Sequence, residues 1–313
     1  MISIILAVYN SPMDRIIFSL NTFLKQNYND YEIIIADDGS KIDVSDKLKS
    51  YFKEKCFDKY KILRSEKNKG TVKNILEAAC ACKGDYIKTF GAGDGFYSVN
   101  SLGIMVKFIE KTNCDCGFAN MQMYSLLQDK KAKIAPFSFP FGVIDFEKKK
   151  NLERNLVYLK DNASGASMWY KKDILIKYLD NAKCSIKYME DICQLEILLD
   201  GHSIEFCRDC LFWYEGNVGI STNPCSPFSK KLYEDEINYY KYLGNKFPGN
   251  KWIVKRNKHK RIFEMKNARL RCMILTLFCP GQISVLLQRY LGLYIFHKYG
   301  SKTIDNTFIK TGE

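Results

Sequence analysis

Two apolar runs of strand length, residues 2–8 and 31–36, open this chain, and each stops at polar punctuation: Tyr9-Asn10 after the first, Asp37-Asp38-Gly39-Ser40 after the second. An uninterrupted apolar strand is the kind buried on both faces, which requires helices above and below the sheet. When such a strand delivers an acidic pair to a glycine turn at its carboxyl end, the turn falls in the crevice where open α/β sheets hold nucleotides. A further acid, Asp94, follows a later run, residues 86–90, through Gly91-Ala92-Gly93. Together these acids imply a site for a nucleoside diphosphate held through a metal.

The rest of the pattern supports an alternating chain. Pro12 stands at a first-turn position, and Ile16, Ile17, Leu20, Phe23 and Leu24 recur at helical spacing, which predicts a helix facing the sheet. Residues 60–63 read as a strand. Lys69-Gly70-Thr71 then opens a helix with Val72, Ile75, Leu76 and Ala79 as its inner stripe. A strand at 86–90, a helix at 100–108 and a strand at 117–124 follow. The fold class is α/β, Rossmann-like, with a mainly parallel sheet, flanking helices and a site at the strand ends. Residues 126–161, with their lysine clusters and Pro136-Phe137-Ser138-Phe139-Pro140, read as a mobile loop and connector. A strand at 166–170, a helix at 191–199 and strands at 204–207 and 211–214 complete a catalytic domain over 1–216. Residues 217–313 form a C-terminal helical extension: a tyrosine-rich helix at 233–247, a basic block at 251–271 and an apolar block at 273–296.

Composition narrows the function classes. The 313 residues are 46% hydrophobic, enough for one large core and a smaller appendage. The net charge of +13 favours polyanionic partners, or simply gives a lysine-rich solvated surface. No arranged aromatic platform or recognised module accompanies the charge, so nucleic acid is not an expected partner. Twelve cysteines are scattered, and only Cys207-Arg-Asp-Cys210 has zinc spacing, without a second such pair. A chain of this length opening on a core strand is expected to carry reduced thiols, no secretory leader and a cytoplasmic location. No apolar run reaches spanning length, since Pro280-Gly281 interrupts the best one.

The motifs Val8-Tyr9-Asn10, Glu32-Ile33-Ile34-Ile35-Ala36-Asp37-Asp38-Gly39-Ser40, Asn68-Lys69-Gly70 with Lys73-Asn74, Gly84-Asp85-Tyr86-Ile87 and Met189-Glu190-Asp191 occur in this order. In that order and spacing the chain resembles the inverting family 2 glycosyltransferases of GT-A fold, over roughly its first two-thirds. The resemblance implies that Asp38 accepts a hydrogen bond from the base, most often a uracil imide. Tyr9 would contact that base, with Ala7 and Val8 lining its pocket. Lys73 would lie near the nucleotide, while Asn74 would fix the strand-end loops. Asp191 would be the general base toward the acceptor hydroxyl, and Glu190 would help hold the acceptor. Where family members commonly read Asp-x-Asp-Asp, this chain reads Gly91-Ala92-Gly93-Asp94. Asp94 is then the expected ligand for Mg²⁺ or Mn²⁺, completed by diphosphate oxygens and water, with Gly93 letting the backbone approach. Tyr214 and Ser221 stand where some members place a metal-binding histidine.

Each motif also has a plainer reading. Asp37-Asp38 could cap a turn, Lys73 could be an ordinary exposed lysine, and Glu190-Asp191 could be the acidic first turn of a helix. The function implied is an inverting transferase moving a sugar, UDP-linked, to a saccharide or lipid-linked saccharide in surface polysaccharide assembly. A non-catalytic sugar-nucleotide-binding partner subunit is a second reading, motivated by the missing acids. A nucleotidyltransferase is a third, disfavoured because Tyr9-Asn10-Ser11-Pro12 is not a glycine-rich basic loop. The tail, with Lys255, Arg256, Lys258, Lys260, Arg261, Arg269 and Arg271 before an apolar block, fits either a peripheral anchor on anionic membrane at the inner face of the plasma membrane or a packed helical cap burying Leu286, Leu287, Leu291 and Ile295.

Overall fold

The structure, a computed structural model, describes residues 1–126, 131–139, 152–159, 163–216, 228–265 and 267–280, with 283, 286, 287, 291 and 302–305. The chain runs β1 (Ile2–Val8), α1 (Met13–Leu24), β2 (Tyr31–Asp37), α2 (Ser45–Glu54), β3 (Tyr60–Arg64), α3 (Thr71–Ala81), β4 (Tyr86–Gly91), β5 (Gly95–Phe96), α4 (Ser101–Thr112), β6 (Cys116–Leu126) and β7 (Lys131–Phe139). It continues through a π-helical turn at Arg154–Tyr158, a 3₁₀ turn at Gly165–Ser167, β8 (Met168–Lys171), α5 (Lys172–Ala182), a second 3₁₀ turn at Glu190–Cys193, α6 (Gln194–Leu199) and β9 (Ile204–Glu215). Helices α7 (Ser229–Lys246), α8 (Lys251–Lys258), α9 (Lys260–Phe263) and α10 (Ala268–Phe278) and a short β10 (Lys302–Asp305) follow.

One mixed sheet, parallel through its centre at β4-β1-β2-β3, organises these elements in the order β10-β7-β6-β8-β4-β1-β2-β3. β1, β2, β3 and β4 are all parallel, so their carboxyl ends open on one side. β8 runs antiparallel between β4 and β6. β9 runs parallel along β6 and meets β5 with its last residues. The apolar runs read in the sequence are the central strands: Ile4, Ile5, Leu6, Ile33, Ile34 and Ile35 are fully buried.

Each face of the sheet has its own core. On one, Ile16, Leu20 and Phe23 of α1, Leu48 and Phe52 of α2, and Leu102 and Met105 of α4 pack on Ile4, Leu6, Ile33 and Ile35. On the other, Val72, Ile75 and Ala79 of α3 and Tyr178 and Leu179 of α5 pack on Ile5, Ile34 and Ile87. That second core continues into Tyr239, Tyr240 and Leu243 of α7 and Ile253 of α8, so the C-terminal helices share apolar burial with the sheet. Glu196 of α6 fastens them. Its fully buried carboxylate accepts from Tyr239 Oη (3.1 Å), Tyr242 Oη (2.8 Å) and Lys246 Nζ (2.7 Å). A buried carboxylate is tolerable only when its lone pairs are filled in this way.

Four features differ from the sequence reading. Part of the expected loop at 126–161 is strand: β7 pairs antiparallel with β6. Pro136, which spoils a strand pattern, falls where the register slips between Gln122 and Tyr124, a bulge that needs no ladder N–H from it. The expected strands at 204–207 and 211–214 are one strand, β9, irregular opposite Ala119-Asn120-Met121. The helix expected at 191–199 starts as a 3₁₀ turn at Glu190. Helices α2 and α5 were not anticipated. Of the tail leucines, Leu286 is buried with Tyr158, Leu159, Leu275 and Cys279, whereas Leu287 and Leu291 are about half exposed, and Ile295 lies outside the described residues. Ser221 and the rest of the 217–227 segment also lie outside them.

Candidate active site

A cleft of about 860 Å³ opens at the carboxyl ends of β1, β2 and β4. Its walls bring together Ala7, Val8, Tyr9, Asp38, Asp94, Glu190 and Asp191, which the sequence places nearly two hundred residues apart.

Asp38, 4% exposed, lines the cleft. One of its oxygens accepts from Lys69 N and the other from Gly70 N, both at 2.9 Å. Burial raises its carboxyl above the usual range while these N–H groups pull it down. Gly70 has a φ of 93°, and a Cβ there would lie 2.6 Å from the Lys187 carbonyl, so this turn requires glycine. Asp37 plays the other part in the pair: its carboxylate accepts from Ser40 N at 2.9 Å and pairs with Arg64, so it caps the turn. Asn74 donates from Nδ2 to the Ala36 carbonyl at 2.9 Å, tying α3 to the end of β2. Tyr9 is 40% exposed on the cleft wall, an available aromatic face beside Asp38. Lys73 is exposed on α3 and does not line the cleft, because its neighbours Val72 and Asn74 take the inward positions.

Asp94 lines the cleft as well. Its Oδ1 accepts from Glu215 N at 3.0 Å and its Oδ2 from Gly91 N at 3.3 Å. Burial pushes its carboxyl up to about 7, against the Glu215 N–H and the charge of Lys88. Lys88 is fully buried on β4: Nζ donates to the carbonyls of Thr89 (2.7 Å) and Ala166 (2.8 Å) and sits 4.0 and 4.4 Å from the ring centres of Phe90 and Phe212. Desolvation lowers this ammonium to about 7, and the two aromatic faces offset part of that cost. Gly93 is buried behind the cleft lining rather than on it. Its φ is 103°, and a Cβ would run into the Glu215 carboxylate. Glu215 itself lines the cleft and pairs with Arg15, Nε to Oε2 at 2.9 Å.

No cluster of three or more His, Cys, Asp or Glu side chains is placed to hold a metal among the described residues. The cleft does present two neighbouring carboxylates, Asp94 and Glu215, with the glycine cradle at 93 leaving room for the second. Mg²⁺ and Mn²⁺ are hard, oxygen-seeking cations, and Mg²⁺ in phosphate sites commonly takes one or two carboxylates plus phosphate and water. The donor set therefore fits a cation whose remaining ligands come from a diphosphate.

Glu190 and Asp191 line the cleft from their 3₁₀ turn. Asp191 Oδ2 accepts from Gly165 N at 3.2 Å. Gln194 locks the two segments together, accepting from Ala163 N (3.1 Å) and donating to the Ala163 carbonyl (2.8 Å). Burial, then the Asp191 charge, holds the Glu190 carboxyl well above its usual value. A carboxylate facing a cleft beside a partly protonated neighbour is the arrangement needed to take a proton from a hydroxyl. Phe228, which caps α7, and Leu232, Tyr233 and Glu236 on that helix line the same cleft.

Sequence reasoning did not find Arg15, Lys88, Gly165 or the cleft face of α7. Arg15 sits on α1 one turn after Pro12, a position whose direction only the packing of α1 fixes. Lys88 is a lone lysine in an apolar strand, a signal that was present, since a charge there must be buried and compensated.

Comparison with known proteins agrees with this geometry. Residues 3–179, more than half of the chain, match the family described as Glycosyl transferase family 2. An uncharacterized glycosyltransferase of Rickettsia bellii is 30% identical over 112 residues, covering 36% of this chain and 15% of that protein. The fold is similar to the crystal structure of S. aureus TarS 1–349 in complex with UDP (TM-score 0.55, 16% identity, 78% of this chain and 65% of that one). It is also similar to the mannosyltransferase PcManGT from Pyrobaculum calidifontis in complex with GDP-Man and Mn²⁺ (TM-score 0.54, 10% identity, 99% and 83%). The chain spans only part of the R. bellii relative and just under two-thirds of the TarS fragment. With the sheet, the strand-end acids and the family match in place, this chain belongs to glycosyl transferase family 2 and has the GT-A fold.

Proposed function

We propose that the protein moves a sugar with inversion from a nucleoside-diphosphate donor, UDP-linked, to a saccharide or lipid-linked saccharide acceptor of surface polysaccharide. The observation that carries this reading is one cleft lined by three sets of acidic groups: Asp38, Asp94 with Glu215, and Glu190-Asp191. The base would lie against Tyr9 and Asp38, whose acceptor-only carboxylate suits an imide N–H. Arg15 lines the same cleft and offers a cation to phosphate oxygens. Asp94, with Glu215 beside it, would hold Mg²⁺ or Mn²⁺, which when bound supplies charge neutralisation to the departing diphosphate. Asp191 takes the acceptor proton, Glu190 binds the acceptor, and attack on the face opposite the leaving group inverts the anomeric centre through an oxocarbenium-like transition state. Neighbouring folds solved with UDP or with GDP-Man and Mn²⁺ support the donor class.

A panel of nucleotide sugars tested for thermal stabilisation, with and without Mn²⁺, checks the reading. A ligand at about 100 times its Kd stabilises by about 2.7 kcal/mol. UDP-sugars giving the largest shift, enhanced by Mn²⁺, is the expected result. A panel without any shift removes the donor assignment.

We also assign the helices after α7, within the 217–313 extension, to a cytoplasmic membrane surface. No helix among the described residues is long and apolar enough to cross a bilayer. Met273 and Leu277 are 68% and 79% exposed on α10, beside the exposed Arg269 and near Arg271, the mixed chemistry of an interfacial helix. The buried side of the same region, Leu275 and Leu286, packs on Tyr158. Met273→Glu with Leu277→Glu should abolish flotation with anionic vesicles. Flotation that survives, or that ignores salt and lipid charge, excludes this surface.

A further inference from the structure

Asp235 lies on α7, 7% exposed, and its Oδ2 accepts three consecutive backbone N–H groups: Lys187 at 3.0 Å, Tyr188 at 2.6 Å and Met189 at 3.2 Å. The next two residues are Glu190 and Asp191, and the Met189 carbonyl accepts from Ile192 N at 3.2 Å to start their 3₁₀ turn. Peptide groups aimed at one point form a nest for negative charge, so the carboxylate sets the path of the backbone directly before the pair. The same segment reaches the turn beside Asp38: the Lys187 carbonyl accepts from Val72 N at 3.1 Å, two residues beyond Gly70, whose N–H donates to Asp38. Leu232 and Glu236, flanking Asp235 at helical spacing, line the cleft.

We infer that Asp235 is a positioning residue for glycosyl transfer: from α7 it gathers the 187–189 backbone so that Asp191 faces the acceptor at a fixed distance from the donor. This rests on the reading of Asp191 as the base. The carboxylate does not line the cleft, although Leu232 and Glu236 on either side of it do, and it acts through the backbone it binds. A displacement of about 1 Å in a reacting group costs on the order of 10²-fold in rate, so losing the nest lowers kcat while Asp38 stays held by Lys69 N and Gly70 N.

The test compares Asp235→Asn, Asp235→Ala and Asp191→Asn in the full chain. UDP binding is measured by calorimetry, and turnover is release of UDP from the nucleotide sugar giving the largest thermal shift. Expected is a graded loss of kcat, about tenfold for Asn, which keeps one acceptor oxygen, and about 10²-fold for Ala. KM for the donor and UDP affinity stay unchanged, and amide exchange rises at residues 187–191. If the alanine variant does not fold, the isosteric asparagine variant decides. Full kcat in Asp235→Asn while Asp191→Asn is inactive overturns the inference and leaves the base in place. A parallel loss of UDP affinity in Asp235→Asn also overturns it, since Asp235 would then be general scaffolding. Full turnover in Asp191→Asn removes the base and the inference with it.

Discussion

Two parts of the cleft, the proposed donor side and the proposed acceptor side, are built in different ways. The proposed donor side is assembled from strand ends and nearby turns: Tyr9 after β1, Asp38 after β2, Gly70 before α3. Each polar group is positioned by a strand adjacent to it in sequence, and the strands fix one another by parallel pairing. The proposed acceptor side comes from pieces with no mutual sequence proximity: Gly165, Glu190-Asp191 and the face of α7. They are joined by single carboxylates and amides, Asp235 and Gln194 above all. A site made of strand ends inherits the rigidity of the sheet. A site made of clasped segments depends on a few hydrogen bonds, each replaceable in one mutation.

If that contrast holds, perturbations should separate binding from turnover. The largest effect is expected at Asp94: chelation by EDTA, or Asp94→Asn, should abolish turnover, with Mn²⁺ restoring activity only in the unmodified protein. Full turnover in chelator would show that Arg15 and other cationic side chains handle the diphosphate alone. Next, Asp38→Ala should weaken UDP by about 1.5–3 kcal/mol, the worth of a hydrogen bond to a charged group, read by calorimetry. An unchanged affinity would move the base elsewhere in the cleft.

A smaller effect concerns stability. Burial, then Asp191, raises the Glu190 carboxyl above 4.5, so the folded state keeps a proton that the unfolded chain has released. Its contribution to stability is intact below the unfolded value and declines as pH rises through the raised folded value. Glu190→Gln should therefore match the parent Tm at about pH 4 and exceed it by a few degrees at about pH 9, while losing acceptor-dependent turnover. Equal Tm at both pH values would place Glu190 in ordinary solvent. The smallest effect belongs to Lys73→Ala: on exposed α3, away from the cleft lining, it should change UDP affinity by under about 0.5 kcal/mol. A tenfold loss would mean that the donor reaches beyond the walls described above.

The same contrast explains what could be read from the residues. β1, β2 and β4 and their terminal acids were legible because burial on both faces leaves an uninterrupted apolar run, and the functional residue stands next to it. β7 was not, since Lys131, Lys133 and Pro136 break the pattern and the strand exists by pairing with β6 and β10. α2 buries only Leu48 and Phe52, too little stripe to distinguish from a polar loop. α5 did carry a stripe, Ile174, Leu175, Tyr178 and Leu179, so its signal was available. Glu190-Asp191 was legible as a motif, but the three N–H groups that converge on Asp235 involve residues nearly fifty positions away, and no local spacing announces that.

In the proposed division of labour, Asp38 and its turn bind the nucleotide and Asp191 removes the acceptor proton. It is tested most directly by measuring UDP affinity and donor turnover together on Asp191→Asn. The account predicts unchanged UDP affinity and a loss of turnover of roughly 10²–10⁴-fold. Turnover at the parent level, or affinity that collapses along with it, would contradict the division and leave Asp191 as a structural residue.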